Sequence, residues 1–406
     1  MNSTLLLKNN RTTFFQKTTA ILSVVLVGMM LLLSTNTKAQ VQDYTYLEFN
    51  GVVDGEVYTP ITGTDLFGPT VYQQFTPIGS EIPLGFTFVY NGAPKTEVKI
   101  HSNGFIYFDG AFNPAATMGD PISTTLTNRF SGAIAGYARA NLVYASFGST
   151  PIYPAVVSSV EYQTTGAVGS RVFTVQFKNM ARYSVLTSPR EGLVNFQIKL
   201  YEGSNIVEVI HDVQPTALSV PANLLGQCGL RGTSNADRNN RAANAVAYTN
   251  TIAGTAANSG LNYRNISHLG TVIRMQWTPP CLPPTAPAAI NLTGTTADIS
   301  WTAPAVAPAS YDFEVRTSGA PGSGFAGLGA SGNVAATSTT ATGLTEGFTY
   351  TLYVRSNCGG SPSTWVTGPT FTLPCAATTV PYFLTFDPIT DGFAVPGLPV
   401  CTDNDN

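Results

Sequence analysis

Alternation of apolar and polar residues is the feature that most limits the folds open to this 406-residue chain. Apolar side chains take every second position over 84–90, 173–177 and 196–200. A period of two places one face of a β-strand in a core and the other in water. Beyond residue 39, no stretch sustains a helical period with caps at both ends. Asn-Gly and Glu-Gly turns separate the runs, so the sequence predicts an all-β protein made of tandem sandwiches.

Residues 1–39 have the composition of a secretory signal peptide. A positively charged start precedes the apolar run 20–33, and a polar stretch with small residues follows it. That run has 14 residues, which is shorter than the ~20 that a membrane-spanning helix needs. We therefore predict cleavage before Gln40 and export to the cell surface or the medium, with no integral membrane span once the signal is removed.

The charge balance disfavours polyanionic partners. The leader holds four of the 20 basic residues and none of the 23 acidic ones, so the mature chain has a net charge of −7. This negative charge is dispersed, and no basic stripe is present to displace counterions from phosphates. We expect no nucleic-acid partner.

Proline-rich junctions divide the mature chain into three units. Residues 277–284 read Trp-Thr-Pro-Pro-Cys-Leu-Pro-Pro, and residues 373–375 read Leu-Pro-Cys. Proline cannot donate to a β-ladder and restricts the residue before it. We predict a large, jelly-roll-like N-terminal sandwich over 41–279, a smaller sandwich over 283–374, and the truncated start of a third domain, an incomplete jelly roll, over 375–406.

The middle unit carries a family signature. Ile299 and Trp301 face inward on one predicted strand, and Tyr311 and the residues that alternate with it do so on the next. Trp301 occupies the place of a second-strand core tryptophan, and Leu344 with Tyr350 matches a tyrosine corner, in which the phenol bonds back to the chain. This unit resembles a fibronectin type III domain over its whole length, which implies an immunoglobulin-like sandwich.

The first unit shows a broader resemblance. Its short motifs lie at 58–63, 82–88, 101–104, 171–177, 195–202 and 229–232. On these it resembles the N-terminal β-sandwich domains of exported multidomain proteins of the Bacteroidota, in which a fibronectin type III domain often follows. The resemblance implies an adhesive or structural role with no reaction attached.

The last stretch has its own resemblance. Residues 380–386 and 397–401 look like the opening of a MAM-like or cleaved-adhesin domain. In proteins of this plan a C-terminal sorting domain for type IX secretion usually follows. We therefore expect this sequence to be the front part of a longer protein.

The five cysteines are compatible with isolated disulfides in an exported protein. Cys281 and Cys358 flank the fibronectin-like unit, and Cys375 and Cys401 are candidates for a second pair in the third domain. The alternative is that all five are reduced and packed. Cys228 fits a small buried hydrophobic residue better than a nucleophile. The Cys and His spacings do not match a zinc site.

No catalytic residue is predicted. His101 lies on the polar face of a strand, His211 at a strand end and His268 in a loop, and none has a motif partner, so we expect ordinary surface or turn roles. A Gly-x-Ser-x-Gly nucleophile elbow is absent from the sequence.

The strand carboxylates do not form the closely spaced pair that a glycosidase needs. They are Glu161, Glu202, Glu208 and Asp212. Glu208 lies between Val207 and Val209, where we expect a partly buried, hydrogen-bonded structural carboxylate.

No cofactor is predicted for the two complete domains. Asp403 and Asp405 alternate with asparagines, and such a run of side-chain oxygens can bind calcium in the incomplete third domain. A plain polar turn is the alternative.

Three functions fit these observations. The first is a secreted or cell-surface, non-enzymatic adhesion or interaction protein that binds an extracellular glycan or protein. The second is the accessory N-terminal region of an exported peptidase or glycosidase whose catalytic domain lies beyond residue 406. The third is a calcium-dependent lectin. The identity of the ligand does not follow from the sequence, because loop side chains determine binding specificity.

Overall fold

A computed structural model describes residues 40–66, 81–109, 121–122, 130–139, 142–144, 156–182, 193–213, 225–234, 236–243, 251–255, 260–262, 272–304, 306–358 and 362–375. The predicted leader and most of the predicted third domain lie outside these ranges. Within them, no helix is long and apolar enough to cross a membrane.

The strands of the first domain run from β1 to β16. Their bounds are β1 Thr45–Asn50, β2 Thr64–Asp65, β3 Ile82–Tyr90, β4 Ala93–His101, β5 Phe105–Asp109, β6 Ser131–Ala138, β7 Leu142–Tyr144, β8 Ser159–Thr165, β9 Val172–Arg182, β10 Val194–Tyr201, β11 Val207–Val213, β12 Leu225–Arg231, β13 Arg238–Ala243, β14 Thr251–Ala253, β15 Gly260–Asn262 and β16 Val272–Thr278. A 3-10 turn, Val41–Asp43, precedes β1, and a four-residue helix, α1 (Gly51–Asp54), follows it.

Two antiparallel sheets form the first sandwich. Sheet I has the order β1-β16-β11-β10-β9-β8-β2, with β7 also on β9, and sheet II has the order β14-β13-β12-β6-β5-β4-β3, with β15 on β12. Consecutive strands β8 to β11 are neighbours in sheet I, and β3 to β6 are neighbours in sheet II, so each sheet contains an antiparallel meander.

The core of the first sandwich includes the residues that the alternation predicts. Leu84, Phe88, Phe173 and Phe196 are completely buried. The rings of Phe177 and Phe196 stack with centroids 4.6 Å apart. The predicted sandwich is therefore confirmed, because each strand turns its apolar face toward the other sheet.

The segment that follows β1 crosses the outer face of sheet I. Gln176 Oε1 accepts a hydrogen bond from the Ile61 amide at 2.9 Å. Gln197 Nε2 donates to the Thr59 carbonyl at 2.8 Å and to Gln176 Oε1 at 3.0 Å. Two buried glutamines thus hold this polar face of the sheet against its own chain.

The second sandwich contains the remaining strands. They are β17 Thr285–Ile290, β18 Thr296–Thr302, β19 Ser310–Arg316, β20 Leu328–Val334, β21 Ser338–Thr342, β22 Thr349–Asn357 and β23 Val366–Thr372. Sheet III has the order β17-β18-β21 and sheet IV the order β20-β19-β22-β23.

The fibronectin signature occupies the core of this sandwich. Trp301 is buried, and its ring lies 5.4 Å from that of Tyr311. The hydroxyl of Tyr350 accepts a hydrogen bond from the Thr345 amide at 2.9 Å, so the phenol bonds back to the chain as the tyrosine corner predicts.

A disulfide closes the second domain. The sulfur atoms of Cys281 and Cys358 are bonded, with their Cα atoms 5.8 Å apart. This pair joins the linker before β17 to the end of β22. The other expected pair includes Cys401, which lies outside the described residues, so that pairing stays a prediction.

Candidate functional site

The two described histidines are internal, and the expectation of surface or turn roles is wrong for both. His101, at the end of β4, is 2% exposed, and its ring stacks on that of Phe105 at 4.5 Å. His211 lies within β11, fully buried, with Nε2 placed 2.9 Å from the Gly136 carbonyl. Burial lowers the pKa of each imidazole to about 4. His268 lies outside the described residues.

Cys228 is a buried free thiol, as expected. Its Sγ lies 3.7 Å from Met275 Sδ in the core of the first sandwich. Burial raises the pKa of this thiol, which keeps it in the unreactive protonated form.

Glu208 is a structural carboxylate, as its flanking valines suggest. It is 7% exposed, pairs with Arg274 at 2.8 Å and accepts a hydrogen bond from the Tyr201 hydroxyl. Arg274 also pairs with Glu56 at 2.6 Å. Both oxygens of Glu208 thus accept a hydrogen bond, one from Arg274 and one from Tyr201, as a structural carboxylate requires.

The described residues contain no group of three His, Cys, Asp or Glu side chains that could hold a metal ion. Asp403 and Asp405, the candidates for calcium, lie outside the described residues.

An open groove of about 650 Å³ lies where β3 passes the β8–β9 and β10–β11 turns. We call it the β3 groove. Its lining residues are Pro83, Gly85, Phe86, Thr87, Thr96, Gly169, Arg171, Glu202 and Gly203.

A bulge in β3 shapes this groove. Pro83 pairs with Glu97 and Phe88 with Lys95, so the four residues 84–87 stand opposite the single residue 96. Extra residues on one strand bend it away from its partner and increase its twist. Gly85 has a φ of +84°, which a glycine adopts without strain.

An ion pair fixes the far wall of the β3 groove. Arg171 Nη2 lies 2.6 Å from Glu202 Oε1, and Arg171 Nε lies 2.8 Å from Glu202 Oε2. The same carboxylate accepts the Gly169 amide at 2.8 Å, while Arg171 Nη1 donates to the Gly85 carbonyl. The pair therefore joins β3 to both turns, and its bidentate geometry orients the wall.

We expect the pKa of Glu202 to be about 2, because the guanidinium of Arg171 and two backbone amides donate to its carboxylate. Carbon-detected NMR titration of the side chain measures it directly. In Arg171→Gln the pKa returns toward the usual value for glutamate. An ordinary pKa in the unmodified protein would contradict the geometry of the wall.

The β3 groove is an open depression with a mixed polar and apolar lining. Its lining contains hydroxyls from Thr87 and Thr96, both exposed, and a single acid that is already paired. The lining includes neither histidine nor cysteine, and its titratable side chains, Arg171 and Glu202, are paired with each other. Sequence reasoning missed this site, because the bulge that forms it depends on how β3 pairs with β4.

The fold defines a class: an all-β protein of tandem sandwiches. A family model described as NIDO related matches residues 49–267, and the fibronectin type III domain model matches residues 282–369. The first match spans more than half of the chain, so the chain belongs to the NIDO-related family. Domains of these two kinds are typically non-catalytic and are typical of extracellular interaction proteins.

Solved structures with similarity to the chain include fibronectin domains. The fn3 domain of the human collagen alpha-1(XX) chain is 20% identical, with 25% of this chain and 91% of that chain covered and a TM-score of 0.21. The FN5 domain of Drosophila Lar is also 20% identical, with 23% of this chain and 100% of that chain covered and a TM-score of 0.19. A search of curated proteins finds no match.

Proposed function

We propose that this protein is a secreted or cell-surface interaction protein that binds an extracellular ligand in the β3 groove and does not transform it. The observation that carries the proposal is the groove itself, a preformed concavity whose wall is held by the Arg171–Glu202 pair. Preformed sites bind with a smaller loss of conformational entropy than sites that must order on binding.

Carbohydrate is the ligand class that the groove favours. The threonine hydroxyls can donate to and accept from sugar hydroxyls, and the exposed ring of Pro83 contributes apolar surface beside them. A segment of another protein is the second class that such an open groove can accept. The disulfide of the second domain supports an extracellular setting, because such bonds persist in oxidising compartments.

Glycan and matrix-protein arrays test the proposal with a groove-filling variant. Thr87 is exposed and lines the β3 groove, so Thr87→Arg should fill the groove without disturbing the core and reduce binding by at least roughly tenfold. Thr45→Arg is the matched control, since Thr45 is also exposed but lies on β1 outside the groove lining.

Loss of array signal with Thr87→Arg alone supports the groove as the site. Equal signals from the wild type and Thr87→Arg would place binding elsewhere. The absence of any signal from the wild-type chain would leave only a spacer role.

A further inference from the structure

The loop between β19 and β20 of the second domain presents a single large apolar side chain to solvent. Phe325 is 92% exposed, the highest value among the exposed large hydrophobic residues described. A fully exposed phenylalanine contributes nothing to the core of its own domain. What distinguishes this side chain is the loop that carries it.

Arg316 holds this loop in one conformation. Its side chain is 1% exposed, and Nη2 donates to the Gly324 carbonyl at 2.9 Å and to the Ala326 carbonyl at 2.6 Å. These are the carbonyls immediately before and after Phe325. The Phe325 carbonyl itself accepts the Leu328 amide at 3.0 Å, so the backbone is fixed on both sides of the exposed ring.

Two further features stabilise this loop conformation. Glu314 pairs with Arg316 at 2.6 Å and accepts the Gly322 amide at 3.1 Å, which compensates the buried guanidinium. Gly327 has a φ of +72°, and a Cβ there would lie 2.4 Å from the Ser318 hydroxyl and 2.5 Å from its carbonyl oxygen. Arg316 also donates to that carbonyl at 3.2 Å.

We propose that Phe325 is the anchor of a protein-binding site, and that its partner is another protein with an uncharged, apolar pocket. A rigid loop places the ring at a defined point at small entropic cost, and aromatic anchors in apolar pockets supply much of the affinity of protein interfaces. Residues 317–345 contain no Lys, Arg, Asp or Glu, and the two charged side chains that bond to the loop, Arg316 and Glu314, are paired with each other, with side chains 1% and 14% exposed.

Selection of displayed cyclic peptides on the full chain tests the proposal, with a naive random library as the probe. Peptides rich in Leu, Ile, Phe and Trp are expected, and their affinity should fall at least roughly tenfold for Phe325→Ser. Phe348→Ser is the matched control, because Phe348 is also exposed but precedes β22. Arg316→Lys keeps the Phe325 ring and a positive charge, but a lysine cannot replace all the hydrogen bonds that the guanidinium donates to the loop carbonyls. An intermediate loss of affinity is therefore expected.

Phe325→Ser should melt at the temperature of the wild type, which separates loss of binding from loss of fold. Enriched peptides that bind Phe325→Ser as well as the wild type would overturn the proposal. Sedimentation velocity measures whether the chain associates with itself. Self-association of the wild type that Phe325→Ser abolishes would also overturn it, because the occupant would then be a second copy of this chain.

Discussion

Replacing either Cys281 or Cys358 with serine should destabilise the second domain by about 4 kcal/mol, the largest effect that we expect from a single change. The bond closes a loop with a sequence separation of 77, and opening it restores the conformational entropy of that loop in the unfolded chain. For a domain of this size the loss corresponds to a fall in melting temperature of about 20 °C. Differential scanning calorimetry of the wild type and the two variants measures it.

The double variant supplies the internal control for the disulfide. Because each serine breaks the same bond, Cys281→Ser, Cys358→Ser and the double variant should have nearly the same stability. Additive losses would instead indicate that each thiol contributes through its own packing. Unchanged melting in all three would contradict a structural role for the bond.

Acid should destabilise the first domain between about pH 6.5 and pH 4 through His101 and His211. Burial lowers both folded-state pKa values to about 4, so the unfolded chain takes up protons at a higher pH than the folded chain does. The stability is therefore complete above the unfolded pKa of about 6.5, falls as the pH decreases toward 4, and loses nothing further from these groups below that. Each histidine contributes a loss of about 3 kcal/mol over this range.

Thermal melting at a series of pH values tests the histidine account. His211→Gln keeps a donor for the Gly136 carbonyl but does not titrate, so this variant should lose about half of the acid sensitivity. The second domain is a built-in control, since none of the three histidines of the chain lies in it. Equal slopes of melting temperature against pH for His211→Gln and the wild type would refute the account.

The sequence predicts the fold well where the pattern is local. Phe173 and Phe196 belong to alternating runs, and a period of two is sufficient to place both in the core. Tyr350 and Trp301 are identified by position within the fibronectin signature, and the structure gives them the contacts that the signature implies.

The burial of the two described histidines was not predicted from the sequence. β11 continues to Val213, so His211 shares the inward face with Val207 and Val209 and is buried with them. The period of two already predicts an inward-facing His211, provided that the strand continues past it. His101 faces a second small core on the outer side of sheet II, next to Phe105 and Phe130. No local sequence pattern predicts that small core.

The β3 groove and the Phe325 loop could not be predicted from the sequence. The groove depends on the register between β3 and β4 and on an ion pair across 31 positions of sequence, and both are tertiary features. In the loop, glycines and serines suggest flexibility, whereas the buried Arg316 fixes the backbone. Composition alone does not reveal a buried arginine that organises a loop.

The most direct test of the central claim is equilibrium binding of the strongest array ligand to the full chain, followed by mass spectrometry of the ligand recovered from the complex. The account predicts saturable binding that Thr87→Arg abolishes and Thr45→Arg leaves intact, with the ligand recovered chemically unchanged. Recovery of a converted product, or binding to Thr87→Arg with the affinity of the wild type, would contradict it.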